Sequence, residues 1–126
     1  MAHQTDVTAT LARSESGDLI ASDRVEGTAV YNRQGEKLGS IKNFMVGKRT
    51  GRVDYAVLSF GGLFGLGERY YPLPWDVLDY DTQQGGYVVD LDKAKIEGAP
   101  YYEPNQEPTY DRIYGERVYG YYGVPF

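Results

Sequence analysis

Short apolar segments separated by turn residues run along the chain from residue 28 to residue 91. Runs of this length that are rich in valine, isoleucine and aromatic residues predict β-strands. The intervening "RQGE", "GKRTG" and "DTQQGG" contain the glycine that tight turns favour. We predict strands at Thr28–Asn32, Lys37–Gly47, Arg52–Gly61 and Tyr87–Leu91, and one made of Arg69–Tyr71 and Trp75–Tyr80 that "PLP" interrupts.

The side-chain pattern also places these strands relative to the core. The third strand is apolar on both faces, which favours a covered or closed sheet over an edge. In the second strand, Ile41 and Phe44 are three positions apart, so both face inward only across a bulge, which we place near Lys42–Asn43. The prolines of "PLP" lack an N–H group, so that piece lies at a rim or contains a kink.

Both ends of the chain lack this strand pattern. Residues 1–18 are polar and predict a flexible lead, before a domain over residues 19–102 and a tail over residues 103–126 rich in tyrosine, proline and glycine. Ser22 is the expected cap of one helical turn, and "DKAKIEGAP" predicts a short turn or helical piece. In the tail, spacings predict a helix over Thr109–Tyr119, whereas the glycines favour a disordered tail. Both alternatives stay open.

Composition narrows the fold and function classes. Among 126 residues there are 13 tyrosines, 16 glycines and no cysteine, which favours a small all-β domain with many turns and leaves no thiolate or disulfide chemistry. The net charge of −5 argues against nucleic acid and anionic lipid as partners. There is no apolar run long enough for a membrane span and no apolar core of a secretory signal, so we expect a cytoplasmic location.

The segment "GGLFGLGE" at Gly61–Glu68 raises the question of a phosphate-binding loop. Such a loop needs a helix N-terminus or a nest of amides after its glycines. Here Glu68 would repel phosphate, Pro72 and Pro74 prevent a normal helix, and the lysine and Ser/Thr of a P-loop are missing. The glycines are therefore expected to make a tight reversal between strands.

Five motifs in a fixed order carry a family resemblance: "GEKLG" (Gly35–Gly39), "TGRVDYAVLS" (Thr50–Ser59), "GGLFGLGE" (Gly61–Glu68), "YPLPW" (Tyr71–Trp75) and "YVVDLDKAKIEGAP" (Tyr87–Pro100). With them, residues 19–102 closely resemble the PRC-barrel family, which includes the cytoplasmic domain of the reaction-centre H subunit and a domain of a ribosome maturation factor. The resemblance implies a small, strongly bent β-barrel without known intrinsic catalysis that binds other proteins or itself. The H subunit's membrane helix and the ribosome factor's RNA-linked domain find no match here.

Candidate chemistry is sparse. Asp76, Asp79 and Asp81 lie close to Glu68 in sequence, but their spacing is not that of an EF-hand loop, and solvated turn carboxylates are the favoured interpretation. A hydrolase triad would depend on His3, which is the one histidine and lies in the polar lead. We expect no catalytic residue, metal or cofactor.

We therefore predict a non-enzymatic module for protein interaction or self-association, forming a homodimer or binding an unidentified protein. Trp75 is interpreted as a core plug or as an interface anchor. One alternative is a small-ligand or metal-binding protein that uses an acidic rim of Glu68, Arg69, Asp76 and Asp79; another is a ribosome or RNA-processing accessory. The predicted interface residues are Leu63, Phe64, Leu66, Trp75, Tyr101, Tyr102, Tyr110, Tyr114 and Tyr121.

Overall fold

The structure, a computed structural model, describes residues 19–61 and 67–126. The predicted lead at residues 1–18 with His3, and the centre of the glycine reversal at residues 62–66, lie outside the described residues. The described elements are α1 (Ser22–Val25), β1 (Ala29–Asn32), β2 (Lys37–Val46), β3 (Val53–Gly61), β4 (Glu68–Pro74), a 3-10 turn (Trp75–Val77), β5 (Asp79–Asp81), β6 (Gly86–Val89), α2 (Lys93–Glu97) and α3 (Arg112–Tyr122).

Within the described residues, six strands form one sheet in the order β4-β3-β2-β1-β6-β5. Neighbours pair antiparallel except β1 and β6, which run parallel with Val30 opposite Tyr87. The mostly β fold with few short helices is confirmed. Within the described residues the hydrogen-bonded ladder is not closed, because β4 and β5 stand at its two ends and are not paired with each other.

The predicted bulge in β2 is confirmed. Ile41 pairs with Leu58 and Asn43 pairs with Val57, so Lys42 is the extra residue. This brings Ile41 into the core and packs Phe44 against it. A second shift follows before Val46. Lys42 bends β2, as expected of a strand that curls around a small core, whereas at the second shift the extra residue is Asp54 of β3.

The predicted interruption of the fourth strand by "PLP" is wrong, because β4 runs through both prolines to Pro74. Tyr70 exchanges two main-chain hydrogen bonds with Tyr102 on the side of β4 that faces away from β3. In a strand, every second residue directs its main-chain N–H group to the same side. The nitrogens of Pro72 and Pro74 therefore face the same side as that of Tyr70, away from β3. The missing donors therefore point outward and cost the β3–β4 ladder nothing. The expected rim position is confirmed.

Local signals decide the smaller elements. At the turn after β1, Asn32 is buried, and its Oδ1 accepts from the N–H groups of Gln34 and Glu36. Gly35 has the positive φ of 84° that this turn requires. The α1 turn forms, but the predicted cap is wrong: Ala21 is the N-cap, without a side-chain hydrogen bond, and Ser22 is the first helical residue.

The core joins strands β1 to β4, β6, α1 and α2. It is a single cluster of buried side chains to which Ile96 of α2 and Val25 of α1 contribute from outside the sheet. Helix formation in the tail is confirmed and excludes the disordered alternative, although α3 covers Arg112–Tyr122 rather than Thr109–Tyr119. Among the described residues, no helix is long and apolar enough to cross a membrane.

Candidate interaction surface

The C-terminal segment, residues 101–126, is attached to the outer side of β4. Its first anchor is the pair of main-chain hydrogen bonds between Tyr70 and Tyr102, with N···O distances of 2.9 and 3.0 Å. The two rings also pack against each other at 5.4 Å between centroids. Because these bonds satisfy an outward donor and acceptor of an edge strand, they cover β4 where another chain could otherwise pair.

The second anchor is α3. Asp111 caps its N-terminus by accepting a hydrogen bond from the Tyr114 N–H group, and Gly123 ends it in the left-handed region with φ of 72°. Val118 is fully buried, and the Tyr119 hydroxyl donates to the Asp54 carbonyl oxygen at 2.6 Å. The helix therefore rests on β3 and is part of the fold.

A tyrosine cluster fills the space between α3 and β3. The Tyr55 ring lies 5.0 to 6.4 Å from the rings of three tyrosines of the C-terminal segment: Tyr110, Tyr114 and Tyr119. The pKa values of Tyr114 and Tyr119 are raised to about 12, and burial of the phenol is the largest cause for both. It also raises the pKa values of Tyr110 and Tyr122. These phenols stay neutral at physiological pH and act as packing groups; of the four, Tyr119 also donates a hydrogen bond.

A second surface of the C-terminal segment contains cationic side chains that lie over aromatic rings. We call it the basic–aromatic groove. The Arg69 guanidinium lies 4.6 Å from the Tyr101 ring centre, and the Lys95 ammonium lies 4.2 Å from that of Tyr121. The groove consists of Phe60, Arg69, Lys93, Lys95, Tyr101, Arg117 and Tyr121.

The groove has a depression of about 440 Å³ at its centre, and residues 98–100 line part of it. Tyr101, Arg117 and Tyr121 form its walls. The Tyr121 hydroxyl donates to the Lys95 carbonyl oxygen at 2.5 Å, which fixes α3 to α2. A Cβ atom on Gly98 would lie 3.1 Å from that hydroxyl, so a glycine lets the two elements approach closely. The depression is large enough to take one large side chain.

The opposite end of the sheet is acidic. Arg33 lies 3.6 Å from an Asp79 oxygen and 3.8 Å from an Asp90 oxygen, with all three side chains mostly exposed. The pKa of Asp81 is lowered because its carboxylate accepts hydrogen bonds. The Gln84 side-chain amide has the largest effect, followed by main-chain N–H groups. Arg33, Asp79, Asp81 and Gln84 line an open depression of about 410 Å³. Exposed pairs of this kind contribute little to stability.

The structure places the predicted interface residues in different environments. Tyr102 is buried, Tyr110 and Tyr114 are half-buried in the tyrosine cluster, and only Tyr101 and Tyr121 belong to the groove. Trp75 is half-buried, with its ring 5.7 Å from Tyr87 and 6.4 Å from Phe44. Leu63, Phe64 and Leu66 lie outside the described residues. The interface role of all nine stays a prediction.

The acidic rim of the alternative is not assembled into one site. Glu68 accepts a hydrogen bond from the Ser59 hydroxyl, Arg69 lies over Tyr101, and Asp79 faces Arg33. The first two are in β4 and Asp79 is in β5, at opposite ends of the ladder. Among the described residues, there is no group of three or more His, Cys, Asp or Glu side chains that could hold a metal ion.

Sequence reasoning missed the cationic half of the groove. Arg69, Lys93, Lys95 and Arg117 come from β4, α2 and α3, and the chain spacing between these elements shows no motif. A partial signal was present, since "ERYY" and "GERVYGYY" place an arginine within a few residues of tyrosines. Cations and aromatic residues occur at such spacings in many sequences, so the pattern identifies a groove only once the fold is known.

Each comparison with known proteins matches about two thirds of the chain. A family model described as "PRC-barrel domain" matches residues 17–96. An "Uncharacterized protein" of Deinococcus radiodurans is 29% identical over 80 residues, which are 64% of this chain and 28% of the relative. The crystal structure of a protein of Pseudomonas aeruginosa described as "putative 16S ribosomal RNA processing protein RimM" is 19% identical, with a TM-score of 0.38. That likeness covers 63% of this chain and 48% of RimM.

Proposed function

Because the chain belongs to the PRC-barrel domain family, we propose that it is a non-enzymatic cytoplasmic module that binds other proteins and itself. The barrel is the scaffold, and the C-terminal segment supplies the contact surface. The family model ends at residue 96, so the parts of the groove that come from Pro100, Tyr101, Arg117 and Tyr121 are additions to the matched domain.

The observation that carries the proposal is the contrast between the interior and the basic–aromatic groove. Inside, Val30, Ile41, Leu58, Tyr71 and Leu73 are at most 2% exposed and pack into one cluster. Large side chains fill the middle of the sheet, as in any close-packed core. Outside, Tyr101 remains 42% exposed beside a depression. Exposed tyrosine and arginine around a recess are typical of protein interfaces.

Self-association is the second part of the proposal. Trp75 contacts the core with one side, and its remaining exposed surface is available to a second copy. We propose a two-fold homodimer in which Trp75 or the C-terminal segment contributes to the contact. The net charge of −5 favours protein partners over nucleic acid, because a polyanion would be repelled by most of the surface.

The test combines mass measurement with site-specific crosslinking in the full chain. A photoreactive benzoylphenylalanine replaces Tyr101 in one variant and Lys48 in a control, since Lys48 is exposed in the turn at the other end of β3. We expect enriched crosslinks from position 101, to itself or to another protein, and a dimer by light scattering. A monomer at every concentration, together with no crosslink above the level at position 48, would refute the proposal.

A further inference from the structure

The basic–aromatic groove holds its cations in fixed positions. The Arg69, Lys95 and Lys93 side chains lie over the Tyr101, Tyr121 and Phe60 rings, at 4.6, 4.2 and 5.8 Å respectively. The Phe60 and Tyr101 rings pack against the core, since Tyr71 is fully buried and its ring centre lies 5.6 Å from that of Phe60 and 5.5 Å from that of Tyr101. Side chains held this way lose less conformational entropy when a ligand binds them.

Within residues 19–61 and 67–126, no carboxylate forms an ion pair with these cations. In the part of the chain that the structure describes, the arginines in ion pairs are Arg33 and Arg112, and neither is in the groove. Glu103 is the acidic group close to Arg69. The pKa of Arg69 is raised first by a hydrogen bond with the Tyr71 hydroxyl and next by the negative charge of the Tyr101 and Tyr71 phenols. Glu103 makes a smaller contribution in the same direction. The groove therefore presents unpaired positive charge on an acidic protein.

Shape and charge together define the ligand. The central depression is lined by Tyr101, Arg117, Tyr121 and residues 98–100, so it offers aromatic side chains and space for one large side chain. The cations stand around it on β4, α2 and α3. A ligand that matches has an aromatic or large apolar group in the middle and negative charges on both sides.

Building on the proposed interaction function, we propose that the groove binds an acidic segment of a partner protein, in which carboxylates flank an aromatic side chain. The aromatic side chain enters the depression between Tyr101 and Tyr121, and the carboxylates pair with Arg69, Lys95 and Arg117. Single-stranded nucleic acid also stacks on aromatic rings beside cations. The net charge of −5 disfavours that polyanion, whereas a short acidic peptide meets only the local positive charge.

The experiment measures fluorescence anisotropy of a labelled peptide with glutamates on both sides of one tyrosine, titrated with the full chain at low salt. Two control peptides replace the tyrosine by alanine or the glutamates by lysine, and an oligouridylate is titrated in parallel. The protein variants are Lys95→Glu and Arg117→Glu in the groove. Arg49→Glu is the matched control, with the same charge change in the exposed turn at the far end of β3.

We expect the acidic peptide to bind, each groove variant to weaken it by about fivefold, and Arg49→Glu to leave affinity within about twofold. Both control peptides bind more weakly. The Tyr101→Ala variant weakens binding and Tyr101→Phe restores it, which a loss of charge alone would not produce. Circular dichroism checks that each variant is folded.

Three results overturn the assignment: no binding of the acidic peptide, equal weakening by Arg49→Glu, or tighter binding of the oligouridylate with the same dependence on Lys95 and Arg117. The proposed function fails separately. If crosslinks from position 101 persist in the groove variants, the chain is an interaction module whose partner does not use these charges.

Discussion

Replacing Tyr119 by phenylalanine removes one hydroxyl group and leaves the ring. That hydroxyl donates to the Asp54 carbonyl oxygen at 2.6 Å and connects α3 to β3. The ring keeps its edge contact with Tyr55, at 5.6 Å between centroids, and Tyr119 is only 9% exposed. Because the acceptor is left without this donor, we expect Tyr119→Phe to lower the free energy of unfolding by about 1 kcal/mol. The melting temperature would fall by about 4 °C.

The same variant has a pH signature. Burial, followed by the negative charge of Asp54, raises the pKa of Tyr119 from 10.0 in the unfolded chain to about 12. A raised folded-state pKa means that the stabilising contribution is complete below 10.0 and is lost as the pH rises through about 12. The variant has no phenol at this position and does not lose that contribution. Because a pKa shift of this size outweighs a hydrogen-bond contribution of about 1 kcal/mol, the stability difference between the two proteins should shrink above pH 10.0 and change sign before about pH 12.

Urea unfolding followed by circular dichroism at about pH 7, 9 and 11.5 measures the difference directly. Tyr101→Phe is the matched control, because Tyr101 is 42% exposed and its change should leave stability within about 0.5 kcal/mol at neutral pH. Equal stability of Tyr119→Phe and the unmodified chain at pH 7 would refute the hydrogen bond. A constant difference up to about pH 11.5 would refute the raised pKa.

Three further substitutions test the sheet and the helix. Gly39→Ala places a Cβ atom 2.2 Å from the Ser59 carbonyl oxygen and should cost at least about 2 kcal/mol in urea unfolding; an unaffected midpoint would contradict the close approach of β2 and β3. Asn32→Ala removes the acceptor of two turn N–H groups, so a loss of about 1 to 3 kcal/mol is expected by the same assay, and a loss below 0.5 kcal/mol would count against it. Phe126→Ala removes the ring that lies 5.0 Å from Tyr119, and hydrogen exchange at the end of α3 should accelerate while global stability changes by under about 1 kcal/mol; unchanged exchange would contradict that role.

Strand identity and the bulge were predictable because they rest on local alternation. Ile41 and Phe44 both need the core, and three positions in a strand allow this only with one extra residue between them. Similarly, a strand that is apolar on both faces had to be covered, and β3 lies inside the ladder between β4 and β2. These conclusions depend only on neighbours in sequence.

Pairing across the chain was not predictable in the same way. Pro72 and Pro74 suggested a break, since sequence alone does not say that their missing donors would face away from β3. The parallel contact of β1 with β6 and the open ladder likewise depend on distant segments. For α3, the internal glycines weakened the prediction, while the decisive signals were the Asp111 cap and the left-handed Gly123 at its end.

The candidate surface was half predictable. Tyrosine density pointed to the C-terminal segment, but sequence could not separate Tyr102, which pairs with β4, from Tyr101, which stays exposed. The cations were missed because Arg69, Lys95 and Arg117 converge only through packing of β4, α2 and α3. The net charge of −5 is a sum over the whole chain and does not reveal a local positive surface.

The parallel contact of β1 with β6 has a consequence for synthesis on the ribosome. Val30 emerges early, but its partner Tyr87 is translated roughly three to eleven seconds later at ordinary elongation rates. During that interval β1 can pair with β2 while its other side keeps unsatisfied amide and carbonyl groups. The nascent chain therefore passes through a stage with a temporary sheet edge, and any slowing of translation between these two segments prolongs its exposure to misassembly.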